Sequence, residues 1–353
     1  MIGAVTRMFS IDLPGAVADP ETHVALHFGD PLAEQRALAD TPTLIDRSYH
    51  DVIAVSGPDA ASFLNNLLSQ KLDDVAAGFG AFALDLNAQG HILHHVGVMF
   101  DGSTFYLDML PQQKASFLEF LQRMVFWSDV TIEETDLVLV STLGRPLDGA
   151  VATRTRRFGS FLLHDALLSP TTVTPTLDAW QADGGRVAGL MAYTAARVRA
   201  VEPELGVDLD ERSIPHEAPT LIGRGDHLGA VHLHKGCYRG QETVARVENL
   251  GRSPRLLVML QLDGSAPELP APGAEITLGG RKVGQLGTVV QDADYGPIAL
   301  ALVKRSALTD PAVPLDISGV AANVDPDSLP AEEGERAGRA AIDKLRSGVN
   351  PRR

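Results

Sequence analysis

The 353-residue chain holds a single cysteine, Cys237. No intramolecular disulfide can form, and no Cys-rich zinc or iron–sulfur site can be built from this chain alone. That composition fits a reducing cytosol. No stretch approaches the ~20 consecutive apolar residues needed to span a bilayer. No secretory leader is expected either, because MIGAVTRMFSIDLPG is interrupted by Arg7, Asp12 and Pro14. The expectation is a soluble, cytoplasmic protein. The sequence also has no internal repeat, no P-loop, no His-Glu-x-x-His and no Gly-x-Ser-x-Gly. Gly223-Arg-Gly-Asp-His-Leu-Gly229 has the wrong spacing for a dinucleotide loop, and no βαβ unit surrounds it.

What is present is ordinary for a folded protein: 44% hydrophobic and 21% charged residues. The 33 Gly and 22 Pro follow no triplet repeat, which excludes collagen and favours a turn-rich fold. The formal net charge of -15 makes the chain a poor general binder of nucleic acid or anionic membrane, so neither is expected as a partner.

The element order predicts an α+β fold. Residues 1–37 read as an arm rich in Gly, Pro and Asp that ends in a short helix. Residues 38–140 read as a first α+β domain: strand, helix, a meander around the Asn87–Gly90 turn, helix, strand. Residues 141–250 read as a second α+β domain. Residues 251–322 alternate short apolar runs with turns and fit a small β-barrel. Residues 323–353 read as a frayed helix or disordered tail.

The stretch His232–Arg252 is where chemistry is expected. Gly236 and Gly240 bracket the only thiol, and Lys235 and Arg239 flank it. A helix begins at QETVARVEN, with Gln241 at its start and Glu242 in its first turn. Flanking cations and a helix N-terminus both favour thiolate over thiol, which makes Cys237 the candidate reactive group and Lys235 its partner. From Val231 to Arg255, five cations (Lys235, Arg239, Arg246, Arg252, Arg255) face two acids (Glu242, Glu248), a local net charge of +3. An anionic ligand or cluster is the expected guest. The bland alternative is a small buried hydrophobe. His232 and His234 alternate upstream as if on one strand face; a metal pair and two partly exposed histidines are both open readings, the second favoured. No metal held by this chain alone is expected.

KGCYRGQE resembles the signature of the YgfZ-type folate-binding family, relatives of the glycine-cleavage T-protein (aminomethyltransferase). VSGPDAASFLNNLLSQKL, GVDLDERSIPHEA and ENLGRSPRLLVMLQLDG resemble further family segments, in the same order. The resemblance implies a three-domain ring whose central channel holds a tetrahydrofolate. It implies a role in assembly or repair of iron–sulfur enzymes, with client or assembly proteins as partners. The motif residues it carries over are Lys235, Gly236, Cys237, Tyr238, Gly240, Gln241 and Glu242.

Two departures bear on activity. T-proteins resemble Gly-Gly-x-x-Asp-Asp at the meander strand, and here His94 and His95 stand at the acidic positions. A neutral imidazole is no substitute for a carboxylate that holds a reacting nitrogen, so no aminomethyl transfer is expected. His91 and His95 should share one strand face, with His94 on the other. The family's pterin-pairing Glu falls at Arg199, a group that only donates hydrogen bonds. Glu202, three residues on, is the candidate to replace it, and Glu217 is a candidate ligand contact or a loop brace. A one-carbon transferase using another acid and a non-catalytic scaffold docking an acidic partner are the competing functions.

Overall fold

A computed structural model describes residues 8–310 and 313–330. The arm carries a two-strand ladder, β1 (Val17–Ala18) with β2 (Ala25–His27), before helix α1 (Pro31–Ala37). It is tied to the body: the Ser10 amide donates to Asp46 Oδ2 at 3.0 Å, and Val24 is fully buried.

Next come β3 (Thr43–Asp46), β4 (Asp51–Ser56), α2 (Ala60–Leu67), β5 (Gly80–Leu86), β6 (Ile92–Phe100), β7 (Thr104–Met109), α3 (Pro111–Met124) and β8 (Thr131–Glu134). Strands β5-β6-β7-β4-β8 form one five-stranded antiparallel sheet. Helices α2 and α3 lie on it through Phe63, Leu64, Phe117 and Leu121, whose helical spacing makes one apolar face.

Then follow β9 (Val138–Leu143), β10 (Ala152–Phe158), β11 (Phe161–Leu168), α4 (Val173–Ala182), β12 (Arg186–Ala188) and α5 (Leu190–Arg199). The second sheet has the order β10-β11-β9-β3-β12. Two sequence boundaries change here. The cut at 140/141 falls inside β9, and β3 leaves the first unit to pair with β9 and β12. Sequence order hid this because β3 and β4 are separated by one short turn yet serve different sheets.

After a long irregular stretch comes α6 (Gln241–Leu250). The barrel is closed by six strands: β13 (Arg255–Leu262), β14 (Glu275–Leu278), β15 (Arg281–Asp292), β16 (Gly296–Lys304), β17 (Leu315–Ile317) and β18 (Val320–Val324). The expected end of the barrel at 322 is too early. Asn323 and Val324 pair with β13, and the Asp325 carboxylate caps the turn Pro326–Ser328. The rest of the expected tail, residues 331–353, lies outside the described residues. No helix of the described residues is long and apolar enough to cross a membrane.

The two sheets meet face to face across β5, β6 and β10. Arg154 on β10 is 1% exposed and bridges them, reaching Asp108 Oδ1 on β7 at 2.7 Å and Asp165 Oδ2 on β11 at 2.7 Å. Gly97 makes room for the bridge: a Cβ there would collide with the Arg154 guanidinium and the Asp108 carboxylate. Burial opposes ionisation of Asp108, but the Arg154 guanidinium overrides it and holds the carboxyl well below the usual carboxylate range.

Candidate functional site

Lys235, Gly236, Cys237, Tyr238, Arg239 and Gly240 lie in the loop just before α6, as the sequence predicts, with Gln241 and Glu242 in its first turn. The thiol of Cys237 is exposed. Gly236 has open space where a Cβ would sit, whereas Tyr238 is buried in the core shared by the first sheet, α5, α6 and the barrel.

The two flanking cations do something other than the sequence suggests. Lys235 is buried and turns its ammonium into the carbonyl end of α2, donating to Asn65 O, to Leu68 O at 2.5 Å and to Gln70 O at 3.1 Å. Burial pushes its pKa down to about 8. Its role as catalytic partner of the thiol is therefore corrected: all three ammonium donors are committed to the first unit. Arg239 donates to Asp85 Oδ1 at 2.6 Å and to Leu86 O at 2.5 Å, and its guanidinium stacks 4.6 Å from the Phe120 ring centre. Gly240 adopts φ +81°, and a Cβ there would stand 2.6 Å from Asn87 O. Only glycine combines that angle with that approach. The loop is thus pinned at Lys235, Arg239 and Gly240 to α2 and the β5–β6 hairpin, with Cys237 held outward between the pins. The strand reading of His232 and His234 is also corrected. His232 lies in irregular chain and His234 in the turn that follows, with ring centres 6.4 Å apart. Among the described residues no group of three or more His, Cys, Asp or Glu is placed to hold a metal ion.

A separate cavity of about 250 Å³ opens between the two sheets. Phe82, His95, Arg156 and Glu202 line it, and the same four line a smaller annex of about 70 Å³ that reaches Arg47, His50 and Tyr193. Cys237 is outside the lining of both. Helix α5 ends at Arg199, and Val201 takes a left-handed φ of +53°, unusual for a β-branched residue. That reversal delivers Glu202 to the cavity, where Oε1 pairs with Arg156. Glu204 lines the annex and pairs with Arg197 at 3.2 Å.

The remaining predicted residues divide. His95 and Glu202 are in the cavity. His94 and His95 take opposite faces of β6, as expected for neighbours on a strand. His94 faces away from the cavity, bonded to Asp85 at 2.8 Å and to Ser116 at 2.9 Å. Burial, with Arg154 and Arg156 adding to it, lowers the His95 pKa to about 4, so the ring is neutral at pH 7. Arg199 lies outside both of these cavities: it sits 3.4 Å from both Asp292 and Asp294 on the barrel turn and lines a different cavity, of about 250 Å³, with Tyr295 and Asp325. Glu217 is buried and braces the barrel through two 2.8 Å bonds to Arg255. Of the two readings of Glu217, ligand contact or loop brace, these bonds are those of a brace.

Arg47, Arg154, Arg156 and Asp108 were missed as site residues. The signal was a charged residue where strand alternation demands an apolar one: β10 buries Ala152, Arg154 and Phe158 on one face.

Residues 255–331 match the family described as CAF17, C-terminal beta-barrel domain. A putative chloroplastic transferase of Arabidopsis thaliana is 25% identical over 316 residues, covering 80% of this chain and 70% of the relative. The tRNA-modifying protein YgfZ of Edwardsiella ictaluri is 29% identical over 248 residues, covering 64% of this chain and 72% of the relative. Among solved structures, the glycine cleavage system aminomethyltransferase T of Bartonella henselae superposes with a TM-score of 0.74 at 18% identity, covering 89% of this chain and 94% of that one. The α+β fold with its closed barrel is the fold of that enzyme.

Proposed function

The chain belongs to the YgfZ-type family, and on that premise we propose that it is a folate-binding accessory protein that supports iron–sulfur client enzymes through Cys237. The observation that supports this reading is that a cavity and an exposed thiol lie apart in space. A cavity floored by an aromatic ring lies between the sheets, and a rigidly pinned loop offers a thiol to solvent elsewhere.

The cavity chemistry supports a reduced folate. A pterin presents a flat face and several N–H donors. Phe82 offers the stacking surface, and the Glu202 carboxylate keeps Oε2 after Arg156 has taken Oε1. The expected family Glu is absent at Arg199, and Glu202 takes over its task by the chain reversal at Val201.

The thiol step is an exchange. The Cys237 thiolate attacks one sulfur of a client disulfide or persulfide, a new S–S bond forms, and the other sulfur leaves as a thiolate. Electrons balance within the exchange, so no external oxidant is needed. Solvent exposure of the thiol favours this chemistry. Relatives carry the name tRNA-modifying protein. With a net charge of -15, a contribution to tRNA modification runs through a client enzyme rather than through direct RNA binding.

The test is replacement of Cys237 by Ala in cells whose iron–sulfur enzyme activities depend on this protein. The variant is expected to fold normally and to lose that support. Full support by Cys237→Ala would remove the thiol from the function.

A further inference from the structure

The face of β6 turned away from the cavity carries a line of polar contacts that neither the thiol nor the cavity uses. The Ser116 hydroxyl on α3 lies 2.9 Å from His94 Nε2, and His94 Nδ1 lies 2.8 Å from Asp85 Oδ2. Asp85 and His94 stand directly opposite each other in the β5–β6 ladder, so the sheet itself sets their spacing. Asp85 Oδ1 takes a 2.6 Å bond from Arg239 of the motif loop.

Burial follows the order that nucleophilic chemistry needs. Asp85 is fully buried, His94 is 6% exposed, and Ser116 is open to solvent. A carboxylate only accepts, so Asp85 takes the Nδ1 proton of a neutral ring and turns the Nε2 lone pair towards Ser116. The other acceptor within reach of that hydroxyl, Gln113 O, is farther, at 3.2 Å. The Phe117 ring packs against the imidazole, 5.1 Å between centres. Arg239 commits Nε to Leu86 O and Nη2 to Asp85, and among the described residues Nη1 makes no hydrogen bond. Its guanidinium rests over Phe120, one turn beyond Ser116 on α3.

We propose that Ser116, His94 and Asp85 form a second reactive site, which takes the acyl group of an ester or thioester. Ser116 is the nucleophile, His94 the general base, and Asp85 orients the imidazole. Ser116 Oγ attacks the carbonyl carbon while His94 Nε2 takes the hydroxyl proton. The C–O or C–S bond breaks, and the leaving alcohol or thiol takes that proton from His94. Water then attacks the acyl-serine by the same route and releases the acid. Arg239 supplies positive charge for the developing oxyanion. Ser116 is outside the lining of both cavities between the sheets, so the acyl group approaches from solvent. The inference goes beyond the folate and thiol readings and rests on neither.

The test is reaction of the full chain with a fluorophosphonate, followed by mass-spectrometric mapping of the adduct. Serine attack on phosphorus forms a P–O bond and expels fluoride, and the proton goes to His94. The adduct should map to Ser116 and vanish in Ser116→Ala. General-base assistance accounts for about 10²–10⁴ in rate, so His94→Asn should label at least a hundredfold more slowly. Ser62 is the internal control: it is also exposed on a helix and bonded to the carbonyl three residues back, at Asp59, but it has no histidine partner. Ser62→Ala should leave Ser116 labelling within twofold. No adduct at Ser116, or a folded His94→Asn labelled at the wild-type rate, would overturn the proposal. Should His94→Asn not fold, wild type alone decides: labelling of Ser116 at least a hundredfold faster than of Ser62 supports the site, and a smaller ratio refutes it. The readout involves neither Cys237 nor the cavity, so a negative result leaves the thiol and folate readings standing.

Discussion

The Lys235 ammonium lies 2.5 Å from the Leu68 carbonyl oxygen, across 167 residues of sequence. A lysine beside the only thiol is thus a strut between the motif loop and the end of α2. Lys235→Met would leave three carbonyls without their donor. The expected cost is about 2–4 kcal/mol, read as a lower urea midpoint. Cys237→Ala should leave that midpoint unchanged. Equal midpoints for Lys235→Met and wild type would contradict the strut.

The Arg154 bridge makes a second prediction about stability. Arg154→Met leaves Asp108 and Asp165 buried without their shared cation, and removing one partner of such a cluster costs on the order of 3–5 kcal/mol. Denaturant unfolding checks this. The loss should be much larger than for Arg145→Met, whose partner Asp183 is 72% exposed in its side chain.

Acid sensitivity follows from His95. Its folded pKa is about 4, below the ~6.5 of an unfolded histidine. Between those values the unfolded chain binds a proton that the folded chain refuses. Stability from this group is therefore intact above pH 6.5 and falls as pH drops towards 4, by about 1.4 kcal/mol per unit. Thermal midpoints across that range should fall less steeply for His95→Asn. Parallel curves for the two proteins would show that His95 does not govern the acid limb.

Aminomethyl transfer should be absent. At neutral pH the His95 ring carries no charge, so the position where the family places a carboxylate cannot balance positive charge developing on a folate nitrogen. Incubation with tetrahydrofolate and an aminomethyl donor should release no ammonia. Turnover would favour a transferase that uses Glu202 or Glu204 instead.

Much of this architecture was legible in the sequence. Helical spacing of Phe63, Leu64 and Leu68 marked α2, the Asn87–Gly90 turn marked the β5–β6 hairpin, and paired glycines marked the loop around Cys237. The cavity was not legible, because Arg47, Phe82, Arg156 and Glu202 come from four separated segments that no local periodicity connects. Charge beside Cys237 misled for a related reason. Lys235 and Arg239 have partners in the first unit, mostly backbone carbonyls, which leave no mark on composition.

The account stands most directly on calorimetric titration of a reduced folate, 5-formyltetrahydrofolate, into wild type, Cys237→Ala and Phe82→Ala. Wild type and Cys237→Ala should bind alike, with one site each, and Phe82→Ala should bind at least tenfold more weakly. Absence of binding to wild type, or loss in Cys237→Ala with Phe82→Ala unaffected, would contradict it.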